Sequence, residues 1–332
     1  MVVDPTGVVH AAGALGGSIW YLTDSGGSWT RERLSNPPGS DVDRQPAIAG
    51  NGSALTVAFT RLFDTHGFGF APEGIYLVTS DAGGWADPAS FGESAGNEPS
   101  LIARGGNLFL TYRAGIPIDV VEEGDEYPIR FATNRTGLWT DVMVSPNGSR
   151  PSLALTGTGR ARVVFGDDVG LLPENALHYA QEAGAPSDDF SVETVPATEV
   201  DYFRYALAHD GGRAHLVYYN PSSDGLYYAR RTLSGWDAPV RLADLAPTSL
   251  AVVTDAANKV HVVATTLSDG VWYLTNRHGP WESKQLLAPA SAGWYVADSS
   301  IDVDGSGRAH VLFVVGGNRR STSLWYAVSP AS

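Results

Sequence analysis

A chain of 332 residues is long enough to bury a large core, but 38 glycines and 20 prolines interrupt it too often for long helices. Its formal charge of −14, from 36 acidic against 22 basic residues, opposes broad association with nucleic acid or with an anionic membrane surface. The absence of cysteine excludes disulfides and thiolate metal sites, and no apolar run is long enough for membrane insertion.

The predicted elements recur along the chain. The first unit carries VVHAAG from Val8, IWYLTD at 19–24 and a Gly-Trp turn opening GGSWTRERL. The second adds a run in front: PAIAG from Pro46, LTVAFT from Leu55, IYLVTS at 75–80 and GGWADPASF. The third reads PSLIA from Pro99, LFLTYR from Leu108, IRFATN at 129–134 and TGLWTDVMV. The fourth reads PSLAL from Pro151, RVVFGD from Arg162, LHYAQE at 177–182 and GAPSDDFSVETV, with Phe190 near the tryptophan position. The fifth has YALAH from Tyr205, HLVYYN from His215, LYYARR at 226–231 and SGWDAPVRL. The sixth has SLAVV from Ser249, HVVATT from His261, VWYLTN at 271–276 and GPWESKQLL. The seventh ends the series with SIDVD from Ser300, HVLFVV from His310 and LWYAVS at 324–329.

Four short strands per unit, rich in β-branched and aromatic residues and bounded by Gly, Asn and Asp turns, are the pattern of propeller blades. The expectation is an all-β, seven-bladed β-propeller with four-stranded antiparallel blades, a single domain over residues 1–332. Blade one has only Val2 to Asp4 for its innermost strand. Blade seven has no fourth strand after Ser329, so it is either three-stranded or completed by flanking residues. His10, His215, His261 and His310 share one position at the start of the second strand, and that repetition marks them as structural.

The turns TDSGGSW at 23–29 and SDAGGW at 80–85 resemble those of the sialidase-like propellers that carry Asp-box, or bacterial neuraminidase, repeats. Later copies such as TNRTGLW and TNRHGPW lack the aspartate. The resemblance implies a structural role for these turns, on the face away from the usual active site. It also implies a carbohydrate-active protein with an arginine cluster that grips a substrate carboxylate. The FRIP-like signature of that family is absent, and DRQP around Arg44 is only a loose echo of it.

In a propeller the functional face is built from second-to-third-strand loops and from blade-to-blade connections. The long loops are RLFDTHGFGFAPEG, RAGIPIDVVEEGDEY and GDDVGLLPENA, in blades two, three and four. One aligned position, the entry to each innermost strand, holds Gln45, Glu98, Arg150, Arg204, Pro247 and Asp298. A structural residue would repeat there, and this one does not. Residues leaving the second strand vary likewise: Arg61, Arg113, Asp167 with Asp168, and Asn220 beside Tyr219.

Arg61, Arg113, Arg150 and Arg204, with Asp298, Trp294 and Tyr219, are therefore the candidate substrate-binding residues, since guanidinium forks suit a carboxylate or sulfate. The competing reading pairs these arginines with Glu98, Asp167, Asp168 and Asp298 across blade boundaries. Phe63, Phe68, Phe70, Tyr202, Phe203, Trp294 and Tyr295 fall in predicted loops and offer stacking surfaces for sugar faces. The catalytic candidates are His66, Glu98, Asp167 and Tyr202.

No cofactor is expected. DVDGSG at 302–307 resembles the start of a calcium loop but lacks the later acidic ligand, so a structural calcium is a minor alternative. EEGDE at 122–126 reads as a solvated acidic run.

The leading expectation is a glycoside hydrolase or polysaccharide lyase acting on an acidic sugar. Hydrolysis needs two carboxyl groups flanking the bond, and a lyase needs an arginine to neutralise a uronate while His66 or Tyr202 removes a proton. A non-catalytic lectin-like propeller, or an enzyme of small non-carbohydrate substrates such as a secondary-metabolite cyclase, are the alternatives. A monomer binding a carbohydrate or small molecule is expected. An extracellular or periplasmic location is favoured, although the opening MVVDPTG has no signal-peptide character.

Overall fold

The computed structural model describes residues 1–25, 27–50, 54–65, 69–92, 96–115, 127–167, 176–184, 187–196, 204–281, 283–288, 294–317 and 321–329. Among them there is no helix. The chain is a seven-bladed β-propeller whose blades are consecutive antiparallel sheets.

Blade one is β1 (Val2–Val3), β2 (Val9–Leu15), β3 (Ser18–Thr23) and β4 (Thr30–Arg33). Blade two is β5 (Val42–Gly50), β6 (Leu55–Asp64), β7 (Phe70–Asp81) and a fourth strand broken into β8 (Gly84–Trp85) and β9 (Ala89–Phe91). Blade three is β10 (Gly96–Arg104), β11 (Asn107–Ala114), β12 (Ile129–Thr133) and β13 (Thr140–Ser145). Blade four is β14 (Ser149–Leu155), β15 (Ala161–Gly166), β16 (Leu177–Gly184) and β17 (Ser187–Thr194).

Blade five is β18 (Tyr205–His209), β19 (Ala214–Asn220), β20 (Gly225–Thr232) and the broken pair β21 (Gly235–Trp236) and β22 (Val240–Ala243). Blade six is β23 (Pro247–Thr254), β24 (Val260–Thr266), β25 (Gly270–Thr275) and β26 (Ser283–Ala288). Among the described residues blade seven has three strands, β27 (Trp294–Val303), β28 (Ala309–Gly317) and β29 (Ser321–Val328). Pro88 and Pro239 fall in the two breaks, as expected for residues that cannot donate to a ladder.

Two compact units divide the chain: Met1–Leu153 with Phe165–Asp168 and Ala180–Glu193, and Ala154–Val164 with Val169–Tyr179 and Thr194–Ser332. In the first, the apolar residues of neighbouring blades interleave, as where Ile19 and Leu34 meet Ile48, Val57, Phe59 and Val78. In the second, β19 and β24 are buried along their whole length, because a sheet stacks on each face of them.

The sequence placed residues 61–74 in a loop, but β6 and β7 run on as a paired ribbon. Leu62 faces Pro72, Phe63 faces Ala71 and Asp64 faces Phe70 beyond an irregularity at Arg61. Trp294 and Tyr295 are likewise strand residues, paired with Gly317 and Gly316. Alternating bulky residues in these stretches extend the ladders past the repeat, which the repeat alignment hides.

Two polar devices recur and explain the conserved-looking turns. In the first, a third-strand terminus accepts the N–H that opens the second strand. Asp24 Oδ1 takes Val9 N, Ser80 Oγ takes Leu55 N and Asn134 Oδ1 takes Leu108 N in the first unit. Asn276 Oδ1 takes Val260 N and Ser329 Oγ takes Ala309 N in the second. Only one acceptor oxygen is needed, so Asp, Asn and Ser exchange freely there. The aspartate missing from TNRTGLW and TNRHGPW is thus replaced in kind.

The second device links an aspartate, a histidine and a tyrosine. His10 Nδ1 lies 2.6 Å from Tyr21 Oη, and its Nε2 faces Asp4 at 3.6 Å. His215 with Tyr228 and Asp210, His261 with Tyr273 and Asp255, and His310 with Tyr326 and Asp304 repeat it. Each aspartate also caps its hairpin: Asp304 Oδ1 accepts from Ser306 N and Arg308 N. The DVDGSG aspartate is therefore engaged by its own turn and by His310. Burial works to raise the Asp304 pKa, but hydrogen bonds from Ser306, His310 and Arg308 outweigh it and hold the carboxyl below its usual range.

Three histidines, His215 and His261 of this device together with His209 at the end of β18, make the fold acid-sensitive. Burial, then Arg162, pushes His209 down to about 4, and burial also lowers His215 and His261 against the pull of Asp210 and Asp255. A depressed imidazole is neutral in the fold, so the unfolded chain binds more protons as pH falls below 6.5. Stability is expected to drop by roughly 2 kcal/mol for His209 between neutrality and its folded pKa, after discounting for partial exposure. Thermal melts across this range check it. A flat profile, or one unchanged by His209→Gln, contradicts it.

Candidate functional site

The inner-strand entrances of the first unit form an unusual row. Gln45, Glu98 and Arg150 have φ of 53°, 57° and 50°, although none is glycine. Each precedes a proline, Pro46, Pro99 and Pro151. In blades two and three the register skips at these residues, between Arg44 and Ala47 and between Asn97 and Ser100. A bulge leaves residues unpaired, and a proline there leaves no N–H unmet. Holding a side-chain-bearing residue in this conformation costs about 1–3 kcal/mol per position, so something must offset it.

The offset is a relay of hydrogen bonds. Gln45 Oε1 accepts from Thr60 Oγ1 at 3.0 Å and from Glu98 N at 3.2 Å. Glu98 Oε2 accepts from Arg150 N at 2.6 Å, and its Oε1 lies 3.8 Å from Arg150 Nε. Gln45 and Glu98 thus each satisfy the backbone N–H of the left-handed residue in the next blade. The relay stops at Arg150, because a guanidinium has no acceptor to pass on. The Arg150 side chain is 46% exposed, against 15% for Glu98, so the positive end of the row faces solvent.

Arg61 has a different role. Its Nε and a terminal nitrogen donate to Asp43 Oδ1 and Oδ2 at 2.7 and 3.0 Å, and Asp43 is fully buried. The guanidinium also lies 4.2 Å from the Tyr76 ring centroid. The hydrogen bond to Asp43 raises the Arg61 pKa further. Its fork is matched inside its own blade, by an aspartate outside the acidic set considered from sequence. Arg113 lies over the Tyr127 ring at 4.3 Å.

Beside the row, Arg44 lies 5.6 Å from the Phe70 ring, and both side chains are exposed. Arg44 and Asp43 adjoin the row, and the DRQP stretch was their one signal in the sequence. Asp167 directly follows β15. His66, Phe68, Tyr202, Phe203, Asp168 and the EEGDE run lie outside the described residues, as do the side chains of Trp294 and Tyr295.

In the second unit, Arg204 lies 5.2 Å from the Tyr219 ring, and Tyr219 Oη donates to Asp224. Asp298 Oδ1 accepts from Ser249 Oγ at 2.7 Å and from Ser299 N at 2.8 Å. Asp298 therefore repeats, with Ser249, the kind of blade-to-blade link made by Gln45. Among the described residues no cluster of three or more His, Asp or Glu side chains could hold a metal ion.

No family profile matches the sequence, and no curated protein matches it significantly. Among solved structures, the chain is similar to a protein of unknown function from Dyadobacter fermentans, with a TM-score of 0.59 and 12% identity over 86% of this chain and 93% of that one. It is similar to AofleA from Arthrobotrys oligospora, with a TM-score of 0.55 and 14% identity over 87% and 86%. It is also similar to Trypanosoma rangeli sialidase, with a TM-score of 0.51 and 12% identity over 83% of this chain and 52% of the sialidase. This chain thus spans about half the length of that enzyme. At these identities the likeness is one of fold: a propeller with sialidase-like structural neighbours.

Proposed function

We propose that this propeller recognises an acidic sugar at the inner-strand entrances of its first unit, with Arg150 receiving the carboxylate and Phe70 with Arg44 offering a stacking edge. The observation that carries the reading is Arg150 itself, a half-exposed guanidinium held at a strained backbone by the Glu98 carboxylate. A charge-assisted, two-pronged bond to a carboxylate is what such a fork makes best. Support in kind comes from the T. rangeli sialidase, whose structure has been solved with sialic acid, an acidic sugar.

Carbohydrate-active chemistry, hydrolytic or eliminative, would draw on Glu98 and Asp167 as carboxylates and on His66 or Tyr202 for proton transfer. A non-catalytic, glycan-binding reading is favoured by one feature: both Glu98 oxygens already face Arg150, one on its backbone and one on its guanidinium. An acceptor occupied in this way serves recognition better than proton transfer.

A panel of acidic and neutral glycans separates these readings, scored together for binding, for new reducing ends and for the ultraviolet absorbance of an unsaturated uronate. Binding confined to acidic glycans is expected. Reducing ends would add hydrolysis, unsaturated products would add elimination, and silence on every acidic glycan would defeat the proposal.

A further inference from the structure

The charge of this chain is unevenly divided. The first unit carries 23 acidic against 9 basic residues and so holds the whole excess of −14, whereas the second carries 13 of each. In the second unit the two signs are also sorted by depth. The hairpins joining the first two strands of blades five, six and seven open on Asp210, Asp255 and Asp304 and close on Arg213, Lys259 and Arg308. Each aspartate accepts the backbone N–H of the closing cation and faces a histidine, and the three carboxylate side chains are only 4%, 5% and 5% exposed. The cations face outward. Arg213 is exposed, the Arg308 side chain is 42% exposed, and half-buried Lys259 has a stem that can lie on protein while its head stays in water.

Blade four keeps the cation and loses the carboxylate. Thr156 Oγ1 accepts Arg160 N at 3.0 Å, as the aspartates accept the equivalent N–H, so exposed Arg160 closes its hairpin without a countercharge. In blade one, in the first unit, the reverse holds: Asp4 accepts Val8 N and no cation closes the turn. Among the described residues the side chains of Arg160, Arg213 and Lys259 form no ion pair. The hairpins of the second unit also adjoin. Gly157 N donates to Gly211 O at 3.4 Å, and Thr254 Oγ1 donates to His209 O at 3.2 Å. A Cβ on Gly307 would lie 3.4 Å from Arg277 Nη2 and 3.6 Å from Asp255 Oδ2, so a further guanidinium sits where the hairpins of blades six and seven meet.

We propose that Arg160, Arg213, Lys259, Arg277 and Arg308 form a docking surface for a linear anionic polysaccharide. This surface is distinct from Arg150 and does not rest on the glycan reading given to that residue. Cations repeated once per blade match a polymer that repeats its own charge, and a strand lying along them releases counterions at several points together. An oligosaccharide meets too few of them to be held, so the two sites separate by ligand length. Nucleic acid fits less well. The four hairpins contain no aromatic residue on which bases could stack, and the acidic excess of the chain repels a polymer as densely charged as duplex DNA, with about one charge per 1.7 Å.

The test is surface plasmon resonance of the full chain over immobilised polygalacturonate, in the Arg150→Ala background so that the glycan site does not contribute. Binding is expected there, weakening about tenfold or more between about 50 and 200 mM salt. A further loss of about tenfold or more is expected when Arg160→Glu, Arg213→Glu and Lys259→Glu are combined. If the combined variant melts early, Arg160→Glu alone carries the test, with an expected loss of about threefold. Absence of binding in the Arg150→Ala background would place the polymer at Arg150 alone and overturn this surface while leaving the glycan site standing. Binding indifferent to salt or to the glutamate substitutions overturns it too, and equal affinity for immobilised duplex DNA would assign the surface to nucleic acid and overturn it likewise.

Discussion

Asp43→Ala is expected to lower the unfolding free energy by about 3–5 kcal/mol, the largest single effect in the first unit. The carboxylate is fully buried and both its oxygens receive the Arg61 fork, so its removal strands a guanidinium that is itself only 12% exposed. Tyr76 would still stack on that guanidinium, but a ring face does not replace a carboxylate. Removing both charges should cost less than removing one, because the desolvation penalty of the pair vanishes with it. Denaturant melts of Asp43→Ala, Arg61→Met and the double variant check this. A loss under about 1 kcal/mol for Asp43→Ala would show the pair to be a dispensable surface contact.

Arg150→Ala is expected to weaken binding of an acidic glycan by about a hundredfold while changing stability little. The binding cost follows from losing a charge-assisted, two-pronged contact, worth about 2–3 kcal/mol. Stability should hold because Glu98 bonds the backbone N–H of residue 150, which alanine keeps. Arg61→Ala should do the opposite, destabilising the fold through Asp43 and affecting the glycan only through it. The contrast between the two arginines, read by calorimetric titration and by melting, separates a ligand contact from an ion-pair strut.

The blade repeat was legible because aromatic and β-branched phrases recur at nearly fixed spacing. Side-chain direction was not legible. Arg61 and Arg113 looked equivalent as residues leaving a second strand. The ladders instead set Arg113 opposite Ile129 and Thr60 opposite Ile75, so Arg113 matches Thr60 and Arg61 lies one residue further along. One residue on a strand reverses the face, and so Arg61 meets buried Asp43 while Arg113 meets Tyr127. The bulges at Gln45 and Glu98 show in sequence only as a proline after a polar residue.

Asp43 was missed for a related reason. Its partner lies 18 positions on in sequence and is set by register, not by spacing. The variable entrance position, by contrast, stood out in the sequence, because a position that refuses to repeat in a repeated fold does so, and its residues Gln45, Glu98 and Arg150 are linked by hydrogen bonds. What could not be read was that these residues satisfy one another's backbone.

The most direct test of the account is a calorimetric titration of one acidic oligosaccharide and its carboxyl-reduced twin into the wild-type chain and Arg150→Ala. The account predicts binding of the acidic form to wild type alone, with the other three combinations weaker by about two orders of magnitude. Equal binding of the reduced twin, or undiminished binding to Arg150→Ala, would contradict it.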